Sequence, residues 1–165
     1  MKFYGDIHGL KVVNLRLSNI YGERSQMQHA KFGVVNWFIR QAMDGETIKV
    51  FGGGNIMRDF LYIDDCVEAI ILAGFTEAAH GGTFNVGNST HATILELVDT
   101  ILAVVKRGKK ENAPFSKERA DQEPGDFYPD ISRMEKVTGW RPRTGLKEGL
   151  AKTAAYYKKH QAIYW

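Results

Sequence analysis

The sequence predicts an α/β domain, and three observations point there. Short apolar runs rich in β-branched residues alternate with longer segments whose apolar positions recur at helical spacing. Glycine or acidic residues punctuate the boundaries between them. One boundary, Thr93-Ile-Leu-Glu96, carries the hydroxyl-to-carboxylate spacing by which a helix start satisfies its own free amides.

Taken in order, Met1–Gly9 reads as the tail of a helix, and Lys11–Leu17 (Lys-Val-Val-Asn-Leu-Arg-Leu) as a strand suited to a sheet interior. Ser18 to about Phe32 is polar and without period, so a loop is expected. Val34, Trp37, Phe38 and Gln41 set a helix over Gly33–Met43. Thr47–Phe51 and Arg58–Tyr62 are expected as two strands joined by Gly52-Gly53-Gly54-Asn55 as a hairpin connection. The next helix begins near Asp64, with Asp64 and Asp65 available to cap it and Val67, Ile70, Ile71 and Gly74 along one face. A short strand covers Thr83–Val86. Ile94, Leu97, Val98, Ile101 and Val105 form the strongest amphipathic stripe in the chain. Lys106-Arg107-Gly-Lys109-Lys110 suits a solvated helix end, and Gly108–Pro129 reads as irregular. Asp130 caps a short helix ending at Gly139, and a last helix from Thr144 turns Leu146, Leu150, Ala154 and Tyr157 inward.

Composition narrows the function classes. The chain has 165 residues, 44% hydrophobic and 25% charged, enough for one globular domain with a core. Its net charge of +3 suits an anionic ligand but gives no argument for nucleic acid. Cys66 is the single cysteine, so no intrachain disulfide forms. It sits among helix residues and reads as structural. No apolar run approaches the roughly 20 residues of a membrane span and there is no secretory h-region, so a cytoplasmic location is expected. The five histidines show no metal-ligand spacing.

Arg58 is the strongest candidate for chemistry. Its guanidinium is a planar, permanently charged fork that matches two phosphate oxygens, and the glycines ahead of it let backbone approach a ligand. A strand arginine paired with Asp59 or Asp64 is the structural alternative. Asn19 directly follows the first strand, and its amide can both donate to phosphate and accept from a hydroxyl; it also suits a plain turn. Asn85 ends a strand and is open to the same two readings. Tyr21, beside Gly22, suits packing.

Together, Arg16-Leu-Ser-Asn-Ile-Tyr-Gly22, the stretch Thr47–Asp65 with its Arg58-Asp-Phe, and Phe84-Asn-Val-Gly87 resemble one family. It is that of the nucleotide-sugar epimerases and dehydratases, the extended short-chain dehydrogenase/reductases. The resemblance runs from about Tyr4 to the C-terminus. It implies the C-terminal, substrate-binding part of that fold, lacking most of the Rossmann domain. Residues 1–165 would be one substrate-binding domain, with 1–20 as the remnant helix end and last sheet strand of a dinucleotide-binding domain.

By that resemblance the ligand is a nucleoside-diphosphate sugar. Arg58 contacts the diphosphate, Asn85 lies near the nucleotide, and Ser18 and Asn19 lie where the diphosphate meets nicotinamide. Gly125-Asp126 resembles the end of the family's Arg-x-Gly-Asp segment, which makes Asp126 a substrate-site residue, but Glu123 stands where the arginine belongs.

Two features of the family are not found in the sequence. No Gly-x-x-Gly-x-x-Gly loop is present to seat a pyrophosphate at a helix N-terminus. No tyrosine has lysine four positions on; Tyr4 meets His8 and Tyr156 meets His160. The resemblance implies NAD(P) for the complete enzyme, while this chain is expected to bind no cofactor alone and to hold no catalytic residue. Three readings stay open: part of an enzyme that needs a separate dinucleotide-binding half, a stand-alone nucleotide-sugar-binding module, or a structural remnant. The strand at 11–17, left open at its edge, is expected to make a homo-oligomer.

Overall fold

The computed structural model describes residues 2–29 and 33–165. Along the chain these form α1 (Lys2–His8), β1 (Asn14–Leu17), β2 (Asn19–Tyr21), α2 (Val34–Asp44), β3 (Thr47–Phe51), β4 (Met57–Tyr62), α3 (Ile63–Phe75), β5 (Thr83–Val86), β6 (His91–Thr93), α4 (Ile94–Val105), β7 (Lys109–Ala113), α5 (Lys117–Gln122), α6 (Ser132–Thr138) and α7 (Leu146–Tyr164). The class is mixed α/β, as the alternating periods imply.

The strands pair into three small sheets. β1 and β5 run parallel, from Asn14 opposite Thr83 to Leu17 opposite Val86. β4 is the centre of the second sheet, parallel to β2 and antiparallel to β6. β3 and β7 form a parallel pair. Ser18 alone separates β1 from β2, so one extended stretch passes from the first sheet to the second. The handover is held by the Ser18 N–H, which donates to the Val86 carbonyl at 3.0 Å.

Several local expectations change here. β3 and β4 are not a hairpin, because each pairs with a different distant strand. Gly52–Gly54 instead makes one 3₁₀ turn with all three residues at positive φ, redirecting the chain between sheets. The stretch after Ser18 contains β2, too short to show a period, and 108–129 contains β7 and α5. Residues 30–32 of the expected loop lie outside the described residues. Asp65 does not cap α3; its carboxylate turns inward and accepts from the Arg143 and Thr144 N–H groups at 3.2 and 2.9 Å.

Other local signals hold. Thr93 accepts from Glu96 N–H at 3.1 Å while Glu96 accepts from Thr93 N–H at 2.7 Å, a complete capping box at the start of α4. Asp130 accepts from Ser132 N–H at 2.9 Å ahead of α6, and Gly139 ends that helix in the left-handed conformation. Leu150 and Tyr157 on α7 are buried, with Leu146 and Ala154 packed against the same core.

Two apolar clusters carry the packing. The larger joins α2, α4 and α7 to β3 and β4 through Ile39, Ile48, Val50, Phe60, Leu97, Ile101, Leu150 and Tyr157. The smaller gathers Leu61, Cys66, Ala69, Phe84, Met134 and Trp140 around α3, β5 and α6. Helix α3 buries Asp65, Cys66, Ala69 and Ala73, while Val67, Ile70 and Ile71 on its other side are exposed.

Candidate functional site

Alternation along β4 builds the site. Successive strand residues face opposite ways, so Arg58 points outward while Asp59, fully buried, points in. That geometry rules out the Arg58–Asp59 pairing the sequence left open. The outward face meets residues 123–127, which run alongside β4. Met57 N–H donates to Asp126 Oδ1 at 2.8 Å, and Phe127 N–H donates to the Met57 carbonyl at 3.1 Å. Arg58 Nη1 donates to the carbonyls of Met57, at 2.9 Å, and of Gly125. Its Nη2 forms an ion pair with Glu123.

Arg58 and Glu123 sit at the wall of a cavity of about 180 Å³. Val34 and Phe38 of α2, Lys49 and Phe51 of β3, Gly54, Ile56, Ile94 and Phe115 complete it. Phe115 stacks on Phe51 with centroids 6.1 Å apart. The cavity thus combines aromatic and aliphatic walls with a charged edge, where the Arg58 guanidinium is paired with Glu123. Lys49 is 3.9 Å from Glu111 across the β3–β7 pair.

A second cleft, about 350 Å³, opens at the carboxyl ends of β1 and β5. Arg16, Ser18, Asn85, Tyr128 and Asp130 line it, with Phe127 also in its wall. Ends of parallel strands are where open α/β sheets place ligands. Asn85 Nδ2 donates to the Asp130 carbonyl at 3.0 Å. Asn19 Nδ2 donates to the Asp59 carbonyl at 3.0 Å, tying β2 to β4. The candidate residues therefore divide: Arg58 belongs to the first cavity, Ser18 and Asn85 to the second. Asp126 braces the segment 123–130, which contributes to both.

Behind Arg58 lies a polar network that local sequence patterns do not announce. Asp59 Oδ2 accepts from Asn88 N–H, and Asn88 Nδ2 donates to the Phe60 carbonyl at 3.0 Å. Asp59 Oδ1 and the neighbouring Ser18 Oγ are buried without a partner in good hydrogen-bond geometry. Burial pushes the Asp59 carboxyl above its ordinary pKa, against the pull of the nearby Ser18 hydroxyl and of the Asn88 and Asn19 N–H groups. Gly87 closes over this carboxylate: a Cβ there would stand 2.3 Å from Asp59 Oδ2 and 2.4 Å from the Pro129 ring. Glycine in Phe84-Asn-Val-Gly87 is thus a packing requirement. Cys66 is buried, and burial raises its thiol pKa, which suits packing and not nucleophilic attack. Tyr21 is likewise buried, its hydroxyl donating to the Leu146 carbonyl at 3.3 Å.

Comparison with known proteins agrees with this architecture. A UDP-glucose 4-epimerase from Mycolicibacterium smegmatis is 33% identical over 161 residues, 96% of this chain and 49% of that protein. UDP-glucuronic acid decarboxylase 6 from Arabidopsis thaliana is 33% identical over 147 residues, 87% of this chain and 40% of that protein. The crystal structure of UDP-glucose 4-epimerase with UDP-glucose from Thermotoga maritima superimposes with a TM-score of 0.84 at 29% identity, covering 97% of this chain and 50% of that one. The chain spans about half the length of the curated relatives it matches. The profile of the NAD dependent epimerase/dehydratase family matches residues 1–87, more than half of the sequence, and the chain belongs to that family.

Proposed function

We propose that this chain is the nucleotide-sugar-binding portion of an NAD-dependent sugar epimerase or dehydratase, catalytically incomplete by itself. The observation that carries the reading is Arg58 at the edge of the Phe51–Phe115 cavity. A guanidinium beside an aromatic slot can hold a diphosphate while the slot holds a base. Asn19, Asn85 and Asp126 are the further substrate-site residues of the reading, with Ser18 and Asn19 toward the nicotinamide of a completed enzyme. Diphosphate anchoring would supply binding energy remote from the reacting sugar carbon and so position it.

The glycine run of this chain does not fit the pyrophosphate of NAD(P). The glycine run at 52–54 leads into strand β4, not a helix N-terminus, and a Cβ on Gly52 would stand 2.0 Å from the Phe115 ring. No hydride step is therefore assigned to these residues. A dinucleotide-binding half outside the chain would supply the cofactor loop and the Tyr-x-x-x-Lys pair.

Calorimetric titration with UDP-glucose, dTDP-glucose and NAD tests the reading. Saturable binding of a sugar nucleotide, lost in Arg58→Ala and with none for NAD, supports it; no sugar-nucleotide binding, or binding indifferent to Arg58, overturns it.

A second reading has its own observation. Among the described residues β1 pairs only with β5, leaving its other edge open. Phe3, Tyr4, Ile7 and Leu10 nearby are 57–72% exposed. Such an edge and apolar face suit a homo-oligomer or the separate half. A single monomeric species in sedimentation at high concentration would count against self-assembly.

A further inference from the structure

We propose that Glu123 is a specificity-determining residue of the Arg58 site, a carboxylate latch that a diphosphate must displace to take the Nη2 edge of Arg58. The inference rests on the nucleotide-sugar reading above and concerns the charge the site accepts.

Three of the five guanidinium N–H donors of Arg58 are already engaged within the chain. Nη1 is directed at two backbone carbonyls, and Nη2 faces the Glu123 carboxylate. These are the planar donors a phosphate would use. The pair is no solvated surface contact, with side-chain exposures of 16% for Arg58 and 25% for Glu123. Partial burial strengthens the attraction between the two charges, so a competing anion must overcome it.

Charge counting points the same way. Arg58 and Glu123 cancel, and Lys49, the other cation in the cavity wall, faces Glu111. With the latch closed, the cavity holds little net charge to balance a dianionic diphosphate. The Glu123 backbone cannot easily retreat as a loop, because the Met57 N–H to Asp126 bond and the Phe127 N–H to Met57 carbonyl bond fasten the following residues to β4. Release therefore proceeds by rotation of the Glu123 side chain, which frees Nη2 and leaves the backbone contacts of Nη1 in place. A ligand without phosphate can enter the aromatic part of the cavity with the latch closed; a diphosphate that takes the Nη2 edge of Arg58 must displace the Glu123 carboxylate and its charge.

The test compares the wild-type chain with Glu123→Gln, which keeps shape and removes charge, and with Glu123→Arg. UDP-glucose and uridine are the probes, read by calorimetry at constant salt. The expected result is UDP-glucose binding tightened about tenfold or more in Glu123→Gln, and further in Glu123→Arg, with uridine affinity unchanged. Equal UDP-glucose affinity in wild type and Glu123→Gln, while Arg58→Ala weakens it, overturns the latch and leaves the nucleotide-sugar reading standing. Uridine binding that tightens as much as UDP-glucose binding also overturns it, since the effect would then be one of shape. No UDP-glucose binding by any of these proteins overturns both.

Discussion

Asn36 and Gly22 exchange a reciprocal pair of hydrogen bonds: Asn36 Nδ2 donates to the Gly22 carbonyl at 2.7 Å, and Gly22 N–H donates to Asn36 Oδ1 at 3.3 Å. Asn36 is buried within α2, and its amide also donates to the Tyr157 hydroxyl on α7 at 3.1 Å. One side chain thereby ties the end of β2 to two helices. Asn36→Ala leaves the buried Gly22 N–H without its acceptor, while the Gly22 carbonyl keeps the Tyr157 hydroxyl, and should lower stability by about 1–3 kcal/mol in urea unfolding.

Trp140 fills the smaller cluster and donates its indole N–H to the Asp65 carbonyl at 3.0 Å. Trp140→Ala should cost about 3–5 kcal/mol. Trp140→Phe keeps most of the packing and loses only the indole bond to a carbonyl that remains within α3, so a smaller loss of about 0.5–1.5 kcal/mol is expected. Denaturant midpoints of the two variants, compared with wild type, check the order.

Gly54 sits at φ 70° beneath the candidate cavity, where a Cβ would stand 2.5 Å from Val50 Cγ1 and 3.0 Å from the Leu95 nitrogen. Gly54→Ala carries the left-handed penalty of about 1–2 kcal/mol before any clash is counted. Thermal unfolding should show at least that loss, and under the proposed function sugar-nucleotide affinity should fall with it because Gly54 lines the cavity wall.

Asp59 predicts a pH dependence. Its pKa is raised in the fold, so its contribution to stability is fully present below the unfolded value of 3.8 and is lost as pH rises through the folded pKa. Asp59→Asn removes that dependence while keeping an acceptor for Asn88 N–H. As pH rises above 3.8 the variant should gain stability relative to wild type until the folded carboxyl has ionised. Parallel melting curves across that range would refute this if the difference stayed constant.

Thr93 closes the capping box of α4. Thr93→Ala should destabilise by about 1 kcal/mol, visible as a shift in denaturant midpoint with unchanged slope. Glu96 shows the opposite pH sense to Asp59. Hydrogen bonds from Thr93 lower its pKa, so its support is lost as the solution becomes acidic.

The elements legible in the sequence are those whose signals lie within a few residues of one another. The Thr93–Glu96 box, the stripe of α4, the Gly139 stop and the inward face of α7 all depend on backbone geometry that repeats locally. Family membership was legible for a related reason, since its motifs are short runs: Arg58-Asp-Phe and Phe84-Asn-Val-Gly87 with their neighbours. Pairing was not. β2 spans three residues and exists because Phe60–Tyr62 lies beside it, and β7 exists because Thr47–Phe51 does. The hairpin expected at Gly52–Gly54 failed because a turn signal states that the chain bends, not which strand it bends toward.

The same division holds in the candidate site. Residue chemistry singled out Arg58 as the cation, and the family resemblance marked Glu123 as the carboxylate standing where an arginine belongs. Their meeting across 65 positions of sequence, the inward turn of Asp59 and the recruitment of Asp65 to the 143–144 backbone follow from how the sheets stack. Hydrogen bonds and charges act over a few ångströms in space, and sequence separation carries no record of that distance until the chain has folded.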